Sequence, residues 1–155
     1  MKRLLIISLI AIIPALASTV SVADEKGMIS KKSQHSVKVT LDRLENVLRK
    51  KGITIVTRWS HDAGAKKSDI ALRPTELLIF GNPKLGSHFF TSSQTAGIDL
   101  PMKALAWKDK NGQVWLTYND PTYIANRHGI SDRPAIVKKM TGALNKLTNV
   151  ATGNK

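Results

Sequence analysis

Apolar positions along this chain switch between a spacing of three to four residues and a spacing of two. Each switch marks an element. Leu41, Leu44, Val47 and Leu48 recur at helical spacing, with Thr40 as N-cap, Lys50 and Lys51 in the last turn and Gly52 just beyond. A strand over 53–59 follows, placing Ile53, Ile55 and Trp59 on one side and Thr54 and Arg58 on the other. Residues 76–80 read as a central strand, Leu77 to Phe80 being apolar on both faces, that Gly81-Asn82-Pro83 ends. Leu85 and Phe89 lie four apart in a helix expected over 85–96. Two strands, 102–108 and 113–118, form a hairpin around Asp109-Lys110-Asn111-Gly112. Asp120 caps a short helix that starts at Pro121 and reaches His128. From Pro134 onward, Ile136, Val137, Met140, Ala143, Leu144 and Leu147 draw the stripe of a last helix.

Val37 and Val39 suggest a short first strand, so the order is β-α-β-β-α-β-β-α-α. Hairpin-linked strands with interspersed helices predict an α+β fold, an antiparallel sheet with helices packed on one face. Residues 24–34 read as a flexible, frayed N-terminal segment, 35–148 as one domain and 149–155 as a polar tail. Residues 60–74 form a long polar connection, within which 63–67 can make a short helix.

The first 23 residues read as a cleaved signal peptide. Lys2 and Arg3 precede an apolar run over 4–16, and Ser21-Val22-Ala23 offers small residues at a cleavage site after Ala23. The run is shorter than the ~20 apolar residues of a membrane span. The expectation is an exported, periplasmic protein with no membrane span after cleavage. The chain has no cysteine, which excludes disulfides, thiolate catalysis and cysteine-ligated metals. With 24 Lys and Arg against 11 Asp and Glu, the net charge is +13, or +11 once Lys2 and Arg3 are removed. Such a charge favours anionic partners. The basic residues are scattered and are not interleaved with aromatics, so no specific nucleic-acid binding is expected.

The histidines at 35, 61, 88 and 128 have no metal-ligand spacing, and neither a metal nor a cofactor is expected. His61 ends a strand and opens the long connection, where working residues often sit. Arg73 either pairs with Asp69 or Asp99 or offers its planar fork to an anion. Asn82 either caps the following helix or faces a ligand, and Asp99 either forms its turn or faces a site. Tyr118 closes the hairpin strand. These five, His61, Arg73, Asn82, Asp99 and Tyr118, are the candidate ligand-binding residues; no catalytic residue is assigned.

The block from Arg73 to Pro121 holds an apolar strand ending in Gly-Asn-Pro, the turn Gly97-Ile98-Asp99-Leu100-Pro101 and the Asn111-Gly112 hairpin closed by Tyr118-Asn119-Asp120-Pro121. With His61-Asp62-Ala63-Gly64-Ala65 upstream and Arg127-His128-Gly129 downstream, it resembles domain-of-unknown-function family 302 (DUF302), small bacterial proteins, over roughly residues 36–147. The resemblance implies a compact α+β domain and a bacterial origin, and it brings no settled activity. The chain departs from the family pattern after Gly86, where Ser87-His88-Phe89-Phe90 replaces Thr-Pro and an apolar residue.

The leading expectation is a periplasmic domain that binds a small anionic or amphipathic ligand on the helix-free face of the sheet, beneath the 60–74 connection. A small hydrolase or isomerase using His61, with Asp62 or Asp99 as acid–base partner, is the second reading. A basic protein docking on anionic envelope components is the third. The short first strand leaves a sheet edge unpaired, which points to a homodimer.

Overall fold

The computed structural model describes residues 22–23 and 27–154. Its elements are β1 (Val22–Ala23), β2 (Met28–Ser33), α1 (Val37–Lys50), β3 (Thr54–Ser60), α2 (His61–Lys66), β4 (Thr75–Gly81), α3 (Pro83–Ser92), a 3-10 helix (Gln94–Ile98), β5 (Met102–Lys108), β6 (Val114–Asn119), α4 (Pro121–Arg127) and α5 (Pro134–Thr152). The strands form one antiparallel sheet in the order β1-β2-β6-β5-β4-β3. The expected α+β class and order of elements are both present.

Helices α1 and α5 pack on each other and on one face of the sheet. Val37, Leu41, Leu44 and Leu48 of α1, and Met140, Leu144, Leu147 and Ala151 of α5, meet Leu78, Phe80, Met102, Ala104, Ala106, Val114 and Leu116 from the strands. These residues build the core by removing apolar surface from water.

The start of the domain differs from expectation. Val37 and Val39 are helical, because Ser36, not Thr40, caps α1: its Oγ accepts the Val39 amide at 3.3 Å. Thr40 is buried and donates its hydroxyl to the Ser36 carbonyl. The first full strand lies instead in the segment expected to fray, where β2 pairs along its whole length with β6. Two of its three inward positions, Lys31 and Ser33, are polar, so the alternation that marks a strand is hidden. The C-terminus is also longer than expected. α5 continues through residues 149–152, Ala151 and Thr152 are buried, and Gly153 closes the helix in the left-handed conformation that glycine adopts at no steric cost.

A bulge after Ile55 reverses the facing of β3. Ile55 and Arg58 therefore face the helices, whereas Trp59 faces the open side. The 60–74 connection begins with the short helix α2, capped by Ser60, whose Oγ accepts the Ala63 amide at 3.1 Å. The proposed signal segment lies outside the described residues, apart from Val22 and Ala23, which pair with β2. Among the described residues no helix is long and apolar enough to cross a membrane.

Candidate ligand pocket

An apolar cavity of about 260 Å³ opens at the sheet edge where β4 ends and β5 begins. Phe80, Leu100, Met102, Met140, Leu144 and Leu147 form its buried floor. Thr54, Val56, Pro83, Phe90 and Pro101 form an exposed rim. Three local features hold it open. Asn82 caps α3, accepting the Lys84 amide on its Oδ1 at 3.0 Å, so the helix leaves the sheet directly at the rim. Pro101 lies beside Gly81, its Cβ 3.3 Å from where a Gly81 Cβ would stand. Gly86 lines the cavity with no side chain, and a Cβ there would stand 3.7 Å from the Phe90 ring.

The α3 amides at this rim are already used. Pro83 has none, Lys84 bonds Asn82 Oδ1, and Leu85 and Gly86 both bond the Asn82 carbonyl. The pocket thus selects on shape and apolar contact. Its volume exceeds the ~150 Å³ that accommodates benzene in an engineered cavity.

Four of the five residues expected to converge divide between the two ends of the strands, and the fifth, Tyr118, is buried within β6. Strand register sets Ser60 and Thr75 at one end and Gly81 and Met102 at the other. His61 and Arg73 lie at the first end, both exposed, and Asn82 and Asp99 lie at the second. A seven-residue strand separates the ends by roughly 20 Å. Arg73 donates Nε to the Lys108 carbonyl at 3.0 Å, in place of either expected acid. Asp62 is structural: it accepts from Ser60 Oγ and from the Thr75 amide. Burial raises its pKa, but those hydrogen bonds outweigh burial and hold it below the usual carboxylate range. His61 thus has no acid–base partner in Asp62 or Asp99. Tyr118 is buried under α5, and burial pushes its phenol pKa up. Of the five, Asn82 alone lines the pocket.

Asp99 serves a different assembly. Its Oδ2 meets His128 Nε2 at 2.7 Å and its Oδ1 accepts from Arg127 at 3.1 Å. The other ring nitrogen of His128 meets Thr95 Oγ1 at 2.9 Å. The cluster ties the 3-10 helix to the end of α4, and none of its side chains lines the cavity. It resembles a hydroxyl–imidazole–carboxylate chain, yet an enzyme site also needs a pocket onto which such groups converge.

Arg58 bridges Asp42 of α1 and Glu76 of β4 at 2.6 and 2.7 Å. Lys31, unremarked in the sequence, is 5 % exposed and donates Nζ to the Asn145 carbonyl, Asn145 Oδ1 and Asn149 Oδ1. Burial lowers its pKa to about 8. The pocket residues went unseen because they come from five elements and are individually ordinary core and turn residues; the nearest signal was Gly81-Asn82-Pro83 facing Gly97–Pro101. The helix-free sheet face, expected to hold the ligand, carries instead the three tryptophans of the chain.

Comparison with known proteins places the whole domain. The family model described as "Domain of unknown function DUF302" matches residues 29–147. The crystal structure of an uncharacterized conserved DUF302 protein from Bacillus stearothermophilus superposes with a TM-score of 0.64 at 18 % identity, over 82 % of this chain and 96 % of that one. Two curated relatives, the fluoride-specific ion channels FluC 1 of Brucella suis and FluC 2 of Brucella melitensis, are each 41 % identical over 143 residues. That match spans 91 % of this chain but 54 % and 51 % of those proteins, so the chain covers about half their length.

Proposed function

The chain belongs to the DUF302 family, and from that premise we propose that it is an exported binding domain that holds a small amphipathic molecule in the pocket between α3, α5 and the sheet. The observation that carries this reading is the apolar cavity of about 260 Å³, with its floor of buried Phe, Leu and Met side chains. An apolar body of one ring or a short alkyl chain fits such a space, while the polar end stays at the exposed rim beside Lys84. The net charge of +11 that remains once Lys2 and Arg3 are removed favours an anionic head group through long-range attraction. Periplasmic placement is part of the proposal: intact mass should show a chain starting at Asp24, and a full-length product retained in the membrane contradicts it.

Calorimetric titration with butanoate, octanoate and dodecanoate tests the pocket. Affinity should rise from butanoate to octanoate and then level off, with a negative heat-capacity change from apolar burial. Heats no different from buffer for all three overturn the reading.

A second reading rests on the relatives named as ion channels. A channel must cross the membrane, and no described helix here can do so. The match takes up about half of those proteins, and we read this chain as a domain that works beside a membrane protein. Cells lacking it should grow less well in fluoride; unchanged sensitivity removes that reading.

A further inference from the structure

We propose that the helix-free face of the sheet is a docking surface for the anionic headgroup layer of a lipid bilayer. Strand register places Trp59, Leu77, Leu105, Thr117 and Ser30 in one row across five strands. Thr75, Trp107, Trp115 and Lys32 form the next row. All three tryptophans of the chain are thus on the side opposite α1 and α5. Trp59 is 60 % exposed, an unusual state for so large an apolar ring.

The face is prepared rather than incidental. Trp107 and Trp115 stack with ring centroids 6.3 Å apart. Trp107 Nε1 donates to Thr117 Oγ1 and Trp115 Nε1 to Asp109 Oδ2, both at 2.9 Å, which fixes the ring planes. Indole suits a bilayer interface because it joins an apolar body to a polar edge.

Charge decides between occupants. No Asp or Glu is among the strand residues that register sets on this face, whereas Lys32 and Lys103 both are. Lys32 stands with its amine 5.7 Å from the centroid of the Trp115 ring. A second copy would bring the same lysines against each other, and the carboxylate nearest them, Asp109, is already taken up by the Trp115 indole. Anionic headgroups would meet lysine with phosphate and the indoles with the upper acyl region.

The test is co-sedimentation of the exported protein with phosphatidylglycerol or phosphatidylcholine vesicles. Binding to phosphatidylglycerol alone, weakening as salt screens the lysines, is expected. Trp59→Glu, and separately Lys32→Glu with Lys103→Glu, should each reduce the partition coefficient about tenfold or more. Each variant keeps the N-terminal segment, so the loss reports on the face. Gly86→Leu, which fills the pocket, should bind vesicles unchanged, and failure of the pocket reading is thereby distinguishable. Undiminished binding by Trp59→Glu, or none by the parent protein, overturns the proposal. A parent dimer in light scattering that Trp59→Glu converts to monomer overturns it in favour of a second copy.

Discussion

Lys31 should make this protein more stable in mild alkali. Its amine is held by three oxygens and by no carboxylate, and burial lowers its pKa from 10.5 to about 8. Between those two values the unfolded chain binds more protons than the folded one, so stability rises with pH and the gain is complete only above 10.5. The full difference corresponds to about 3 kcal/mol, of which about 2–3 kcal/mol accrues between about pH 7 and 10. Lys31→Met keeps the length and apolar stem of the side chain and removes the titration. Urea unfolding of both proteins, followed by circular dichroism at each end of that range, isolates the effect, because every other titrating group is common to both. Tyr118 is one: its raised phenol pKa lowers stability above its ordinary value of 10 in both proteins equally. The parent should gain about 2–3 kcal/mol relative to Lys31→Met as pH rises. A difference constant to within ~0.5 kcal/mol would show that Lys31 is hydrated in solution and refute the reasoning.

Arg58→Ala should cost about 2–4 kcal/mol in urea unfolding, because Asp42 and Glu76 both lose a charged partner between α1 and the sheet. Arg73→Ala, which removes one exposed bond to the Lys108 carbonyl, should stay within about 1 kcal/mol of the parent. His128→Ala should speed amide hydrogen exchange over Gln94–Ile98, the 3-10 helix that Asp99 and Thr95 anchor; unchanged exchange there contradicts the anchoring role. Gly27→Ala should cost about 1–3 kcal/mol in thermal unfolding, since its φ is +74° and a Cβ would stand 2.1 Å from Tyr123 Cγ.

Where apolar periodicity carried the information, the sequence was sufficient. The stripes of α1 and α5, the doubly apolar β4 and the Asn111-Gly112 hairpin all appear close to their expected places. Elements whose inward positions are polar were misread. Lys31 and Ser33 point into the core from β2, so that strand resembled a frayed tail, and Thr148 and Thr152 are buried in the last turns of α5 for the same reason. A single bulged residue in β3 inverted the facing of Trp59 relative to Ile55, which no alternation rule anticipates. The candidate site failed on geometry that only register supplies. His61 and Asn82 end neighbouring antiparallel strands and so stand at opposite ends, whereas the pocket collects residues from β3, β4, α3, the turn before β5, and α5. Of the two roles the sequence offers Asn82, the structure shows the helix cap, through its bond to the Lys84 amide.

The measurement closest to the central claim is an NMR experiment that detects contacts between bound octanoate and the methyl groups of the pocket floor. Intermolecular nuclear Overhauser effects should connect the alkyl chain to the methyls of Met102, Met140 and Leu144, and Gly86→Leu should abolish them while leaving the fold intact. Octanoate that contacts only the exposed ring of Trp59, or that binds Gly86→Leu as well as the parent, would contradict the assignment of this cavity as the binding site.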